Sequence, residues 1–182
     1  MKLLIIFGPP AVGKATVGNL VEKMTDFTLF HNHMVTDGIM HIFGKDSESE
    51  SKLSREIRSA IIGEAAATGK NLIFTYVWNF NTPRGKRNID HYKQLYEQHG
   101  GTVQFIELCA PLEERVQRAD TKERWQRKYH TADGNEVRAL ERGRSFISPD
   151  PFYYPDIYTR IDAVGTAQET ADAIVQLLNE QK

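Results

Sequence analysis

The apolar run 3-LLIIF-7 followed at once by 8-GPPAVGKAT-16 constrains this chain more than any other stretch. Five consecutive apolar residues closed by a glycine fit a strand buried on both faces, the kind found in parallel sheets. Gly8 and Gly13 permit a tight loop whose backbone N–H groups point inward, and Lys14 adds a positive charge for the outer phosphates. A helix is expected from about Lys14 to Met24, so strand, loop and helix N-terminus follow in the order of a phosphate cradle. Its residues are Gly8, Pro9, Pro10, Ala11, Val12, Gly13, Lys14, Ala15 and Thr16. Ala15 departs from the usual pattern, in which a Ser or Thr hydroxyl at this place reaches a magnesium ion.

Four further apolar runs, 27-FTLF-30, 72-LIFTYVW-78, 103-VQFIELC-109 and 157-IYTRI-161, predict four more strands. Helical patterns separate them. In 52-KLSREIRSAIIGEAAATG-69 the predicted buried face is Leu53, Ile57, Ala60, Ile61 and Ala65, with Gly69 as the stop. In the tail, Thr166 and Glu169 form a capping box ahead of a stripe of Ala173, Ile174, Leu177 and Leu178. This alternation predicts a three-layer α/β/α fold around a five-stranded parallel sheet. With 182 residues, 40% of them hydrophobic, a single domain over 1–182 is the expected organisation.

Charge narrows the partners. Twenty-three basic and 24 acidic residues leave a net charge of -1, so no global field favours nucleic acid or an anionic membrane. No apolar stretch approaches a membrane span. The sole cysteine, Cys109, has no internal partner for a disulfide, which fits a reducing, cytoplasmic setting. Any anion must therefore be held by a local cluster. One such cluster is the segment 111–150, which carries nine Arg or Lys residues from Arg115 to Arg144 with helical texture and few apolar positions. It is either a solvated helical pair or a basic helical lid over about 118–148.

At the loop, the chain resembles the P-loop kinases of small molecules, among them nucleoside monophosphate kinases, shikimate kinases, gluconate kinases and chloramphenicol phosphotransferase. Adenylate kinases carry a small residue after the lysine and then a threonine, and Lys14-Ala15-Thr16 is similar. The resemblance implies the P-loop nucleoside triphosphate hydrolase fold of the nucleotide/shikimate kinase type. It also implies ATP and Mg2+ as cofactors, a catalytic Lys14, and Thr16 as the metal-side hydroxyl. By the same resemblance, 111-PLEER-115 opens the helix of the adenine-stacking arginine, matched by Arg115. The turn 162-DAVGT-166 then edges the adenine, with Gly165 allowing close approach. A lid arginine would clamp the transferring phosphate: Arg124 first, with Arg118 and Arg127 as alternatives.

Acceptors in such sheets collect beyond the carboxyl ends of the strands, where 30-FHNHMVTDG-38 falls. Asp37 is the only carboxylate between Asp26 and Asp46, and is expected to orient an acceptor hydroxyl and take its proton; the alternative is a helix cap, with Thr36 as competitor. His31-Asn32-His33 stands where shikimate kinases carry two aspartates flanking one residue, and His33 is a candidate substrate contact. Arg58, on the polar side of its helix with Arg55, either clamps an anionic acceptor or pairs with Glu56, Glu50 or Asp46. The end of the third strand has no acid between Thr75 and Pro83 to support magnesium. Tyr76, Trp78, Asn79 and Phe80 there either line the acceptor pocket or pack a helix, and Arg84, Lys86 and Arg87 either meet an acceptor phosphate or stay solvated. The expected function is ATP-dependent phosphotransfer to a hydroxyl of a small-molecule acceptor, by a monomer or homodimer with no nucleic-acid or membrane partner. A nucleoside monophosphate kinase and a low-turnover ATP-binding protein are the alternatives.

Overall fold

A computed structural model describes residues 1–121 and 132–180. Its sheet has five strands, β1 (Lys2–Phe7), β2 (Thr28–His31), β3 (Leu72–Tyr76), β4 (Thr102–Cys109) and β5 (Tyr158–Asp162), in the order β2-β3-β1-β4-β5. Every pairing is parallel. β1 lies at the centre because both of its faces are apolar: Leu3 through Phe7 are fully buried, and Leu3 sits in register with Leu72 on one side and Val103 on the other. β2 and β5 each begin one residue later than their apolar runs suggest.

The described helices are α1 (Lys14–Met24), α2 (His33–Phe43), α3 (Glu48–Ala67), α4 (Pro83–Gln98), α5 (Leu112–Ala119), α6 (Gly134–Glu141) and α7 (Ala167–Glu180). They cover both faces of the sheet in a three-layer α/β/α arrangement. On one face Val17 and Val21 of α1 and Ile174 and Leu178 of α7 meet Leu4 and Ile6. On the other, Ile62 and Ala66 of α3 and Ile89, Tyr92 and Tyr96 of α4 meet Leu3, Ile5 and Phe7. None of these helices is long and apolar enough to cross a membrane.

Two buried helix faces differ from the sequence pattern. α3 starts at Glu48 because the Ser47 side chain accepts a hydrogen bond from Glu50 N, and it buries Ser54, Arg58, Ile62 and Ala66. Ile57 and Ile61, expected inside, are each 39% exposed. The apolar stripe loses because α3 is rotated about its axis so that the Ser54–Arg58–Ile62–Ala66 line faces inward, with Ile62 and Ala66 on the sheet and Arg58 at the cavity. α7 keeps the Thr166–Glu169 capping box, with Glu169 N donating to Thr166 Oγ1 at 3.2 Å and Thr166 N to Glu169 Oε2 at 2.8 Å. Its buried residues are Thr170, Ala171, Ile174 and Leu178, with Leu177 at the edge.

Beyond β3 an aromatic cluster holds the chain that follows α6. Trp78 is 1% exposed, stacks on Phe80 with centroids 4.8 Å apart and meets Phe7 edge-on at 5.5 Å. Phe80 N donates to Ser145 O at 2.8 Å, which ties residue 145 over the end of β3. Nearby, the fully buried Glu107 of β4 accepts from Ser148 N at 2.9 Å, Ser148 Oγ at 2.8 Å, Arg160 Nε at 2.9 Å and the Tyr158 hydroxyl. A buried carboxylate with this many donors fastens the 145–160 segment to the sheet.

Candidate active site

A cavity of about 920 Å³ opens at the carboxyl end of the sheet. One end is the loop between β1 and α1. Gly8 has φ 143, and a Cβ there would lie 2.3 Å from Leu108 O, so only glycine lets the loop leave β1 against β4. Gly13 has φ 105 and Ala11 the unusual φ 63 for a residue with a side chain, so the loop holds local backbone strain. α1 begins after Gly13 without a side-chain cap, so its opening turn faces the cavity rather than a capping oxygen. Lys14 Nζ folds over the loop and donates to Gly8 O at 2.8 Å and Pro9 O at 2.7 Å. Pro10 through Thr16 line the wall, while Gly8 and Pro9 stand behind them.

The nucleotide end differs from expectation at one arginine. Arg115 is 5% exposed and off the cavity wall, donating to Ala110 O at 3.1 Å, Pro10 O at 3.3 Å and Glu141 Oε1 at 2.8 Å. Through Pro10 O it braces the loop between β1 and α1. Arg118, one helical turn on, is on the wall instead. Its guanidinium spans Val12 O at 3.3 Å and Ala163 O at 2.7 Å, joining the loop to the turn that contains Gly165, itself on the wall. The spacing from Pro111 contained Arg118, but only the rotation of α5 against the sheet decides which arginine faces inward.

At the acceptor end, Asn32 N donates to Thr75 Oγ1 at 3.2 Å, which locks the end of β2 to β3 and starts α2 there. Asn32 is the N-cap, so neither Thr36 nor Asp37 caps this helix. His31 and His33 are on the wall. Asp37, expected against the acceptor hydroxyl, stands behind it: the carboxylate meets His33 Nδ1 at 2.7 Å and is not a wall residue. Arg58, expected on an exposed polar face, is 8% exposed and lines the cavity. Its Nε has no hydrogen-bond partner, and no carboxylate lies within ion-pair distance of the guanidinium among the described residues. Burial pushes the neighbouring Tyr92 phenol upward, partly opposed by the Arg58 charge.

Tyr76 and Val77 contribute to the wall. Trp78 does not, since it is spent in the core, and Asn79 turns away to accept from Asn81 N at 3.1 Å. Phe80 packs on Trp78, and Arg84, Lys86 and Arg87 are off the wall; Lys86 meets Asp90 at 2.9 Å instead. Arg124 and Arg127 lie outside the described residues. Sequence reasoning singled out neither Lys45 nor Glu136 and saw Arg144 only as one of the basic residues of the 111–150 segment; the fold brings all three to the wall, with Lys45 Nζ 3.5 Å from Glu136 Oε1. Among the described residues no cluster of three His, Cys, Asp or Glu side chains is arranged to hold a metal. Thr16 is on the wall in the first turn of α1.

The five-stranded parallel sheet in the order β2-β3-β1-β4-β5, the glycine loop after β1 and the helices on both faces give the P-loop fold in the form found in small-molecule kinases. No family model matches the sequence, and no curated protein matches it as a relative. Solved structures match along the whole chain. A Chloroflexus aurantiacus protein provisionally assigned as a kinase is 17% identical at a TM-score of 0.73, over 98% of this chain and 97% of its own. Shikimate kinase from Acinetobacter baumannii, solved with shikimate, is 19% identical at 0.59, over 99% and 94%. APS kinase from Mycobacterium tuberculosis, solved with AMPPNP and APS, is 17% identical at 0.60, over 98% and 97%. At such identities the likeness is one of fold.

Proposed function

We propose that this protein is an ATP-dependent kinase that phosphorylates a hydroxyl group of a small anionic metabolite. One observation carries the choice of acceptor: Arg58 is a buried guanidinium that pairs with no carboxylate among the described residues, on the same cavity wall as the glycine loop. A desolvated cation that no described carboxylate neutralises is suited to an anion that arrives with the substrate. Arg144 on the same wall adds a second positive charge. The shikimate and APS of the two liganded neighbours are themselves hydroxyl-bearing anions, which supports the reading.

The loop amides and Lys14 hold the donor's outer phosphates, and Arg118 with the turn at Gly165 borders its base. Mg2+, when bound, neutralises charge on the phosphates, and Thr16 is the side chain that would help hold it. The basic segment of about 118–148, with Arg124 as the phosphate-clamping residue, acts as a lid. Arg84 and Arg87, which a nucleoside monophosphate kinase would turn to the acceptor phosphate, are off the cavity wall, and this favours the hydroxyl kinase. The missing acid at the end of β3 favours a second reading, an ATP-binding protein with little turnover.

The test is incubation with Mg-ATP and a panel of hydroxylated acids, neutral sugars, aminoglycosides and nucleoside monophosphates, read by mass spectrometry. A phosphorylated acid, lost with Lys14→Ala, is the expected result. ATP binding without any phosphorylated acceptor would support the low-turnover reading.

A further inference from the structure

Phosphotransfer to a hydroxyl leaves one task to assign, removal of the acceptor's proton. Asp37 does not reach the cavity wall, whereas the His33 ring does. The two stand four residues apart on α2, which brings them to one face of the helix, and Nδ1 lies 2.7 Å from the carboxylate. An ionised carboxylate only accepts, so the hydrogen of this contact is on Nδ1. The neutral ring then bears its lone pair at Nε2. The pair is partly shielded, with 28% and 19% of the side chains exposed, and the Asn32–Thr75 bond holds the start of α2 in place. Of the other three carboxylates on the described wall, Glu50 accepts from Ser54 Oγ at 3.1 Å, Glu136 accepts from Lys45 while closing the Asp133 capping box of α6, and Asp46 sits at φ 61 in the exposed turn between α2 and α3.

We infer that His33 is the general base, with Asp37 as the positioning residue that fixes its tautomer and stabilises the imidazolium. The inference rests on the kinase reading above. In the step, His33 Nε2 takes the hydroxyl proton while the acceptor oxygen forms its bond to the γ-phosphorus. The bond from that phosphorus to the β,γ-bridging oxygen breaks, and ADP leaves with the electron pair. The imidazolium returns its proton to water after the product departs. The Asp37 negative charge lowers the energy of that cation without itself touching the acceptor.

The experiment compares wild type, His33→Gln, His33→Ala and Asp37→Asn in the full chain, with the acceptor that gives product. It reads kcat, both KM values and ATP affinity by calorimetry. Loss of a general base predicts that kcat of His33→Gln falls about 10²- to 10⁴-fold while ATP affinity stays within about 2-fold. Added imidazole restores part of the His33→Ala rate. Asp37→Asn lowers kcat less, and its ring ¹⁵N shifts move away from the Nδ1–H form seen in wild type. Full kcat in His33→Gln overturns the inference. So does an Nε2–H ring in wild type, or an Asp37→Asn loss with His33→Gln unaffected, which would make Asp37 the base. A wild type that converts no acceptor refutes the kinase reading itself and takes this inference with it, a result distinct from turnover that does not depend on His33.

Discussion

Arg58→Met separates binding from stability at one residue. The Arg58 guanidinium is 8% exposed, its Nε has no partner and no carboxylate pairs with it among the described residues, so the free protein holds a desolvated N–H on a largely buried charge. An unsatisfied buried donor costs about 1–3 kcal/mol, and part of that is relieved by the solvent in the cavity at the outer nitrogens. Methionine keeps most of the stem's volume against Tyr92 and removes the donor, so a net gain of about 1–2 kcal/mol is expected. For a chain of this length that raises Tm by about 2–8 °C. The same change deletes the cation proposed to hold the acceptor anion. Losing one member of a buried charge pair at about 2–5 kcal/mol raises acceptor KM roughly 30- to several thousand-fold. ATP affinity is unchanged. Differential scanning calorimetry and steady-state kinetics on the two proteins give both readouts. A lower Tm together with an unchanged acceptor KM would show that Arg58 is a structural residue and refute the argument.

Glu107→Ala strands Arg160 and two hydroxyls around a buried hole and is expected to cost about 3–5 kcal/mol in urea unfolding; a loss under about 1 kcal/mol would mean the cluster is incidental. Gly8→Ala sets a Cβ against Leu108 O at φ 143 and should cost about 1–3 kcal/mol along with nucleotide affinity, and unaltered affinity in calorimetry contradicts this. Burial, reinforced by Glu107, pushes the Cys109 thiol up to about 11, so native alkylation at pH 8 is slow, quickens toward pH 11 and accelerates in urea. Equal rates in native and denatured protein would count against that environment. Burial also pushes Tyr96 up to about 12, above its unfolded value of 10.0, so its contribution to stability is complete below pH 10 and lost as pH rises through about 12. Urea midpoints between pH 8 and 11 test this, and a flat profile argues against it.

The chain's own letters were enough for the five parallel strands, the phosphate loop, the limits of α1 and the Thr166–Glu169 cap. Each of these follows from local rules. A run of apolar residues buried on both faces has few alternatives to a central strand, and a glycine at φ 143 is demanded by the backbone around it. The start of α7 is readable because its capping side chains bond within three residues.

Which side of a helix turns inward is a different kind of quantity. Successive residues are about 100° apart around the axis, so Arg115 and Arg118, or Ile57 and Arg58, differ in role only through how α5 and α3 are rotated against the sheet. That rotation answers to the whole core. It set Arg115 under the loop and Arg118 on the wall, and it brought Arg58 into the cavity at the expense of Ile57 and Ile61. Trp78 was drawn into the core by Phe7, Phe80 and Phe152, residues far apart in sequence. The sequence by itself determined that this chain sets a glycine loop between a buried strand and a helix on a parallel sheet, because those features are local. Only the tertiary structure decided which side chains share the cavity with it, because distant elements meet there and their packing selects the faces that point in.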